Sequence, residues 1–475
     1  MKPIQFGTDG WRAIIDDDFI PANIAAVAQA FADLYPELPK ARRPVVVGYD
    51  RRRRSREAAE SIAGVLLGND IPVHLAEDYC PTPCVTWHVV HDDAAAGIMV
   101  TASHNPPNWN GIKFKESYGG AAAPAFTDPI EARIRQNAEA GRRPKAVAHA
   151  NHAQLRRFNP RGYYVEALTR FVNLREIETA RFTILADPMY GAGVDFLPAI
   201  CSSVTQIHTA ADSNFGGIHP EPIVPYVNEA IAAMQGGGYD LCVITDGDAD
   251  RIGAIDGHGR YVTSHEIYAL LLQHCLTARK WRGGVVKSIT TTRMIDRLCR
   301  AYQLPLTVTP VGFKHISPAL NRPDMLIGGE ESGGIGLPRH MCERDGLLCG
   351  LLLLEMMALS GRPLHELVAD CQSRFGPCHY RRIDCKLTAE QMRAARDRLA
   401  ASEIASLGGR RIAECNRIDG YHFLRDDESW LLIRPSGTEP LLRTYAEART
   451  MEEVEVLLNE AQRIVGIAVR ECVSL

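Results

Sequence analysis

A candidate nucleophile lies on a short polar loop, Thr101–Pro107, with the sequence TASHNPP. The apolar run Ala96–Val100 before it is typical of a buried strand, and the two prolines of the loop prevent a helix from following directly. Ser103 is therefore expected on a tight loop at a strand end, with its hydroxyl exposed. Most serines in such loops satisfy local backbone groups, but a serine held this way can also be a nucleophile or a phosphoryl carrier.

Three aspartates at alternate positions form the strongest single motif. Asp246, Asp248 and Asp250 follow the apolar run Leu241–Ile244. In an extended loop, alternate side chains point to the same side, which would aim three carboxylates at one point. A divalent cation relieves their mutual repulsion, and oxygen ligands select a hard ion, Mg²⁺ above all.

Three other kinds of site could contain an acidic loop of this form. An EF-hand needs glycine at its sixth position and glutamate at its twelfth, where this chain has Arg251 and Gly257. A phosphatase that forms an aspartyl phosphate more often shows Asp-x-Asp-x-Thr, but Asp250 stands in the third place. A solvated acidic turn stays open, although the apolar strand before the loop and the arginine after it favour a metal site.

A further polar loop, Arg434–Pro440, could hold a phosphate. The guanidinium of Arg434, the hydroxyls of Ser436 and Thr438, and backbone amides around Gly437 are suitable donors. The loop is not a Walker motif, because no Gly-Lys-Ser/Thr follows it. A surface turn is the alternative, and an arginine with two hydroxyls within five residues favours phosphate.

Two more groups of residues could contact a substrate. Glu330 and Ser332, in the loop Gly329–Gly334, offer acceptors that suit sugar hydroxyls, or they could cap a helix. Lys113 and Lys314 lie on glycine-containing loops between apolar neighbours. Burial there would lower the pKa of each ammonium towards a range useful for proton transfer.

Composition excludes several classes of function. The chain has 475 residues, of which 46% are hydrophobic and 23% charged, with a net charge of −4. The basic run Arg51–Arg56 is short and lacks interleaved aromatics, so a solvated loop is expected rather than a nucleic-acid site. No apolar run is long enough to span a membrane, and the first residues lack the form of a signal peptide. We expect a cytoplasmic protein, a monomer or a weak dimer, that binds neither nucleic acid nor membrane.

The elements that must position these loops follow from the hydrophobic pattern. Short apolar runs alternate with segments of helical spacing at Asn23–Tyr35, Ser55–Leu67 and His265–Leu276. Such alternation predicts α/β sheets, with the chemistry at the carboxyl ends of the strands. We predict three similar mixed-sheet α/β domains and a smaller C-terminal α+β domain around a central cleft. The predicted boundaries are residues 1–152, 153–258, 259–370 and 371–475.

Five motifs, in order along the chain, together resemble the α-D-phosphohexomutase family. Phe6–Arg12 resembles the opening motif of the family, and Thr101–Pro106 resembles its phosphoserine loop. Asp246–Arg251 resembles its magnesium loop, Gly329–Gly334 its sugar-binding loop and Arg434–Pro440 its phosphate-binding loop. The motifs extend from residue 6 to residue 440, so the resemblance covers nearly the whole chain. It implies a heart-shaped enzyme of four domains, the fourth of which closes over the substrate.

The resemblance also implies an activity and a set of residues. The activity is the interconversion of hexose 1-phosphates and hexose 6-phosphates through a phosphoserine and a hexose 1,6-bisphosphate, which also acts as activator. Mg²⁺ would be held by a phosphoserine oxygen at Ser103 and by Asp246, Asp248 and Asp250. The residues implied around the transferring phosphoryl group are Arg12, His104, Lys113, Arg251 and Lys287. Those implied to bind the sugar or the phosphate that is not transferred are Gly312, Glu330, Ser332, Arg434, Ser436, Gly437, Thr438 and Arg443.

The sugar-binding loop bears on the substrate and on the proton transfer. Its Glu-Glu-Ser form resembles the phosphoglucomutase side of the family, which favours glucose, with mannose as a second substrate. Relatives often read Gly-Glu-x-Ser-Gly-His, whereas this chain has Gly334 at the histidine position. If that histidine is a general acid or base, another group must replace it. Lys314 is the candidate, because glucose-specific relatives resemble Thr-Pro-x-Gly-x-Lys there.

Four alternatives to this activity stay open. Two lie within the family, a phosphoglucosamine mutase and an enzyme that makes glucose 1,6-bisphosphate. A metal-dependent phosphatase that uses Ser103 is a third, but simple hydrolysis has no need of a separate phosphate-binding domain. A non-catalytic sugar-phosphate binding protein is the fourth, and the intact serine and aspartates disfavour it.

Overall fold

The computed structural model describes residues 4–7, 10–402, 404–436, 440–466 and 472–474. These residues divide into two units. The first contains the residues up to Gly284 together with Gly312–Leu367, and the second contains Val285–Val311 together with the residues from Val368 onward. The four-domain boundaries stay predictions, because this division does not test them.

Helices and strands alternate along most of the chain. The helices are α1 (Pro21–Leu34), α2 (Ser55–Gly68), α3 (Thr82–His91), α4 (Pro124–Glu139), α5 (Tyr163–Phe171), α6 (Leu174–Ala180), α7 (Asn228–Gln235), α8 (Ser264–Thr277), α9 (Arg293–Tyr302), α10 (Phe313–Leu320), α11 (Gly346–Ser360), α12 (Leu364–Phe375), α13 (Ala389–Ala401) and α14 (Met451–Val465). The three helices predicted from spacing are confirmed as α1, α2 and α8.

The strands follow the predicted apolar runs and add several in the C-terminal part. They are β1 (Trp11–Ile14), β2 (Val45–Tyr49), β3 (Val73–Ala76), β4 (Ala96–Val100), β5 (Trp109–Glu116), β6 (Gly120–Ala121), β7 (Leu155–Phe158), β8 (Ile184–Asp187), β9 (Val204–Gln206), β10 (Leu241–Thr245), β11 (Ile252–Asp256), β12 (Tyr261–Val262), β13 (Gly284–Ser288), β14 (Leu306–Thr309), β15 (Met325–Gly329), β16 (Ile335–Gly336), β17 (His379–Lys386), β18 (Ser406–Leu407), β19 (Arg410–Asn416), β20 (Tyr421–Arg425), β21 (Trp430–Pro435), β22 (Leu441–Ala448) and β23 (Cys472–Ser474).

The first sheet of the first unit positions the Ser103 loop. Its strand order is β1-β5-β4-β2-β3-β7, with β6 paired to β5. Strands β2 and β4 run parallel and are buried along their whole length, since their continuous apolar residues are covered on both faces. Strand β5 returns antiparallel to β4, so Lys113 pairs in register with Met99.

The second sheet positions the acidic loop. Its order is β12-β11-β10-β8-β9, with β10 parallel to β8 and antiparallel to β11. The acidic loop connects the buried strand β10 to β11. The hairpin of β15 and β16, also in the first unit, carries the loop with Glu330 and Ser332 at its tip.

The second unit is built on a largely antiparallel sheet. Its seven strands have the order β18-β19-β20-β21-β22-β17-β23. Alternation along β21 divides its side chains between two apolar clusters. Leu431 and Ile433 join a cluster with residues of α13 and α14, whereas Trp430 and Leu432 join a cluster with Ile289.

The predicted fold class is confirmed: mixed α/β sheets precede a smaller C-terminal α+β region. No single helix of the described residues is long and apolar enough to cross a membrane. The pair α11 and α12 passes that test only together, and it is bent by 86° at the break between the two helices.

Candidate active site

Ser103 lies directly beyond β4, as predicted, but it is buried. The residue is 1% exposed and its φ is 53°, so the loop turns sharply inward at this position. The Ser103 backbone N–H donates to Thr101 Oγ1 at 2.8 Å, and Ser103 Oγ donates to Asp246 Oδ2 at 2.9 Å. The expectation of an exposed hydroxyl is wrong because the acidic loop packs onto the serine.

Arg52 fixes the backbone of the Ser103 loop. Its guanidinium donates to the carbonyl oxygens of Ser103 and Asn105, both at 2.6 Å, and to those of Pro106 and Trp109, at 2.8 and 3.0 Å. The side chain is fully buried, so the interpretation of this basic run as a solvated loop is wrong at this position. Nothing in the sequence distinguishes Arg52 from the neighbouring arginines, so its hydrogen bonds to the Ser103 loop were not predicted.

Asp50 completes this support from β2. Its carboxylate accepts hydrogen bonds from the hydroxyls of Ser55 and Thr101, both at 2.6 Å, and lies 3.3 Å from Arg52 Nε. Burial raises the pKa of Asp50, and the Arg52 charge opposes that rise. The same Thr101 hydroxyl accepts from the Ser103 N–H, so β2 orients the serine through one intermediate side chain.

The acidic loop brings its three carboxylates together by a turn. Ala249 has a φ of 55°, and its N–H donates to the Asp246 carbonyl at 3.0 Å. The prediction of an extended loop is therefore wrong, because the backbone folds back on itself. One oxygen from each of Asp246, Asp248 and Asp250 still lies within 4.8 Å of the others, and all three residues are buried.

These three residues fit a divalent cation. Oδ1 of Asp248 and Oδ1 of Asp250 are buried without a hydrogen-bond partner, which is costly for carboxylates in an apolar interior. Burial and the charges of the other two aspartates raise the pKa of Asp246 well above its usual range. An oxygen-only donor set of this charge suits Mg²⁺.

Cationic groups surround the triad. Lys113 Nζ donates to Oδ2 of Asp248 at 2.8 Å and to Oδ2 of Asp250 at 3.0 Å, and the lysine is buried. It lies within strand β5, so its predicted position on a loop is wrong. Thr82, at the start of α3, donates to Asp248 Oδ2 at 2.5 Å. Burial alone would raise the pKa of Asp248, but the Lys113 charge and these hydrogen bonds hold it below its usual range.

The two loops meet backbone to backbone at Gly247. A Cβ at this position would lie 2.4 Å from the carbonyl oxygen of Ser103. Any side chain here would therefore separate the serine from the carboxylates, and glycine is required by this close approach.

Arg344 joins the acidic loop to the sugar-binding loop. Its guanidinium donates to Glu330 Oε1 at 2.9 Å and lies 2.7 Å from Asp250 Oδ2. Ser332 Oγ also donates to Glu330 Oε1, at 2.8 Å, so the predicted pair of sugar ligands is in contact. Burial raises the pKa of Glu330, and the Arg344 charge opposes that rise. Arg344 lies in no recognisable motif, so the sequence did not predict its place in the site.

Arg12, His104 and Arg251 also lie near Ser103. Arg12 donates to Asn105 Oδ1 at 2.6 Å, and the Arg251 N–H donates to Asp246 Oδ1 at 3.1 Å. His104 Nδ1 is buried without a hydrogen-bond partner. Burial first, and then the charges of neighbouring cations including Arg251 and Arg12, lower the pKa of His104 well below its usual range.

Lys314 lies in the first turn of α10, which begins after Gly312. Gly312 has a φ of 113°, a conformation that favours glycine. Lys314 is half-buried and has no hydrogen-bond or ion-pair partner among the described residues. Its predicted role as a proton donor or acceptor stays a prediction.

The remaining predicted residues belong to the second unit. Lys287 pairs with Asp296 and donates to the carbonyl oxygens of Thr291 and Thr292 at 3.1 and 3.2 Å. These contacts hold the lysine within its own unit, at the start of α9. Its predicted contact with substrate stays a prediction.

The predicted phosphate cradle is only partly described. Arg434 and Arg443 lie opposite each other on β21 and β22, and Arg434 Nε donates to Asp419 Oδ1 at 2.8 Å. Ser436 is buried, and its N–H donates to the Leu441 carbonyl at 2.8 Å. Gly437 and Thr438 lie outside the described residues.

Comparison with known proteins places this geometry in a family. The models of phosphoglucomutase/phosphomannomutase α/β/α domains I, II and III match residues 3–141, 162–259 and 263–375, and that of the C-terminal domain matches residues 383–463. A phosphoglucomutase/phosphomannomutase of Thermococcus kodakarensis is 29% identical over 459 residues, which are 96% of each chain.

A protein of Methanothermobacter thermautotrophicus, described as a probable phosphoglucosamine mutase, is 31% identical over 465 residues, again 96% of each chain. A crystal structure described as a phosphomannomutase from Thermus thermophilus is 32% identical, with a TM-score of 0.84 over 98% of this chain and 99% of that one. The mixed-sheet fold, the buried serine beside three aspartates and these similarities together show that the chain belongs to the phosphoglucomutase/phosphomannomutase family of phosphohexose mutases.

Proposed function

We propose that this mutase interconverts glucose 1-phosphate and glucose 6-phosphate, with mannose phosphates as second substrates. The reaction would proceed through a phosphoserine at Ser103 and a hexose 1,6-bisphosphate. The observation that carries the proposal is the 2.9 Å hydrogen bond from Ser103 Oγ to Asp246, within a buried group of three carboxylates and several cations.

The surroundings of Ser103 suit phosphoryl transfer. This reaction depends on positioning and on charge neutralisation more than on covalent help from the protein. Arg12, His104, Lys113 and Arg251 would contact the transferring group. A phosphoserine oxygen and the three aspartates would hold Mg²⁺, which would neutralise charge on the phosphoryl oxygens when bound.

The remaining residues would bind the sugar. Glu330 and Ser332 would accept hydrogen bonds from its hydroxyls, with Gly312 as a further contact. The phosphate that is not transferred would be bound by the cradle residues, which are Arg434, Ser436, Gly437, Thr438 and Arg443. A single cradle must accept either end of the sugar, because the bisphosphate has to reorient before its second phosphoryl group returns to Ser103.

Turnover assays with glucose 1-phosphate, mannose 1-phosphate and glucosamine 1-phosphate distinguish this proposal from the alternatives. We expect turnover with glucose 1-phosphate, Mg²⁺ and a trace of glucose 1,6-bisphosphate as activator, and slower turnover with mannose 1-phosphate. Preferred turnover of glucosamine 1-phosphate would instead favour the activity named for the Methanothermobacter relative. Bisphosphate as the accumulating product would indicate a bisphosphate synthase. Release of inorganic phosphate without sugar 6-phosphate would overturn the mutase proposal in favour of a phosphatase.

The carrier role of Ser103 has its own test. Intact mass spectrometry after incubation with glucose 1,6-bisphosphate is expected to show one added phosphoryl group in the wild type and none in Ser103→Ala. The matched control is Ser373→Ala, an exposed serine on α12, which should retain the added mass. A Ser103→Ala variant with full turnover would reject the carrier role.

A further inference from the structure

The structure leaves no room for a side chain at position 334 while Arg344 keeps its present position. A Cβ built on Gly334 would lie 2.2 Å from Arg344 Cδ and 2.9 Å from Glu330 Oε1. The φ of Gly334 is not in the left-handed region, so its backbone would accept any residue. Space is therefore what excludes a side chain at this position.

Arg344 is held in place from two sides. Its guanidinium lies between Glu330 Oε1 and Asp250 Oδ2, at 2.9 and 2.7 Å, and over the ring of Phe313 at 5.1 Å. A side chain at Gly334 would have to displace it from one of two buried carboxylates. Asp250 would keep its ion pair with Lys113, but Glu330 would be left buried without its cationic partner, which is strongly unfavourable.

A second buried ion pair fixes the backbone that carries Arg344. Lys115 Nζ donates to Glu343 Oε2 at 2.6 Å, and neither side chain is exposed. The other oxygen of Glu343 accepts the Arg344 N–H at 3.1 Å and lies 3.5 Å from Arg344 Nε. Lys113 and Lys115 are two residues apart on β5, so they project from one face of the strand. One pairs with the acidic loop and the other with the segment before α11.

We propose that Arg344 and Gly334 are a matched pair, in which the aliphatic stem of Arg344, at Cγ and Cδ, fills the space that a side chain at position 334 would take, and that Lys115 and Glu343 are positioning residues for Arg344. The stem of Arg344 then fills the space left by a missing side chain at position 334, and its charged end is fixed between Glu330 and Asp250. This cation connects the proposed sugar ligand Glu330 to the acidic loop. The significance for catalysis rests on the proposed function, but the packing does not.

The matched pair is tested by thermal unfolding, which requires no activity. We expect Gly334→Ala to lower the unfolding midpoint clearly in the wild type and much less in an Arg344→Ala background, because the two close atoms of Arg344 are then absent and only Glu330 Oε1, at 2.9 Å, stays near the added Cβ. Gly333→Ala is the matched control. With a φ of 89°, Gly333 should be equally sensitive in both backgrounds. An equal effect of Gly334→Ala in both backgrounds would overturn the matched pair.

The positioning role is tested with the double variant Lys115→Met/Glu343→Met. Each single change leaves a buried charge unpaired and should lower the unfolding midpoint more than the double change does. In the double variant Arg344 can yield, so the effect of adding Gly334→Ala should shrink. An undiminished effect would overturn the positioning role.

Turnover gives a second measurement of the same role. The double variant is expected to have a turnover number about 10-fold lower than that of the wild type, with little change in KM. The reason is that a less firmly held Arg344 would position the reacting groups less well. Full turnover in a stable double variant would show that the pair only supports the fold. An inactive wild type that still shows the thermal coupling would reject the proposed function and leave the packing inference intact.

Discussion

Buried guanidinium groups hold the loops of the candidate site in place. Arg52 binds four carbonyl oxygens of the segment from Ser103 to Trp109, and Arg344 pairs with three carboxylates. Arginine suits both positions because its donors are fixed in one plane and it stays charged when buried. These residues define the shape of the site without belonging to any of the motifs that identify it.

Loss of the Arg52 guanidinium should destabilise the protein. Arg52→Met is expected to lower the free energy of unfolding by about 3–5 kcal/mol, because it leaves Asp50 buried without its charged partner. Urea unfolding followed by circular dichroism measures the change. The control is Arg53→Met, which removes a half-exposed arginine paired with Asp16 and should stay within about 0.5 kcal/mol of wild type. Equal effects of the two substitutions would contradict the prediction.

Lys314 is the remaining candidate for proton transfer. If it serves the sugar hydroxyl, Lys314→Met should lower the turnover number by about 100-fold or more, with a smaller change in KM. Steady-state kinetics with glucose 1-phosphate measures both constants. Lys145→Met, at an exposed lysine, is the control and should leave them unchanged. An unchanged turnover number in Lys314→Met would remove the lysine from the mechanism.

Sequence predicted the ligands of the site better than their supports. Ser103 and the three aspartates were singled out because they follow apolar runs, and Lys113 because it lies between apolar neighbours; the structure brings all five residues together. Arg52 and Arg344 were missed because residue type alone does not show whether an arginine is buried. Their burial depends on strands that are distant in sequence. The turn of the acidic loop was missed for a similar reason, since the left-handed Ala249 is held by tertiary contacts.

At the scale of elements, single side chains tie the second sheet to a neighbouring helix. His208, after β9, has one ring nitrogen 2.9 Å from Asp187 Oδ1, at the end of β8, and the other 2.9 Å from Glu229 Oε2, on α7. The Asp187 hydrogen bond, despite partial burial, raises the pKa of His208 to about 9. The histidine is therefore charged at neutral pH.

Stability should depend on pH through this histidine. Because its pKa is raised on folding, its contribution is complete below about pH 6.5 and is lost as the pH rises through about 9. His208→Gln is expected to lower the free energy of unfolding by about 1–2 kcal/mol at pH 6 and by close to nothing at pH 10. The figure at pH 6 allows for solvent, which screens the ion pair with the exposed Glu229. Urea unfolding of both proteins at the two pH values measures the difference. A cost that is the same at both would contradict the assigned charge.

At the scale of the whole molecule, the second unit is assembled from two separate stretches of chain. Its buried cluster of Trp430, Leu432 and Tyr445 includes Ile289, which comes from the insertion Val285–Val311. The C-terminal sheet therefore depends on a residue that lies well before its first strand, β17, in the chain. A segment that starts at residue 371, the predicted domain boundary, would expose this face.

Ile289 should accordingly support the C-terminal sheet. Ile289→Ala is expected to cost about 2–4 kcal/mol of unfolding free energy, as for other large-to-small changes in a core. The fluorescence of Trp430 during urea unfolding reports on it, with Trp430→Phe to identify that signal. Ile418→Ala, at a side chain that is 44% exposed, is the matched control and should have little effect. No shift in the Trp430 transition would show that the sheet is stable without the insertion.

The burial of Ser103 also bears on how the enzyme would be switched on in a cell. A protein kinase needs an accessible segment that it can hold in its own groove, and a serine that is 1% exposed and hydrogen-bonded to Asp246 offers none. Under the proposed function, a small sugar bisphosphate would phosphorylate the serine that a kinase could not reach. The fraction of loaded enzyme would then follow the supply of metabolites rather than a signalling cascade, and it would record the recent sugar-phosphate status of the cell.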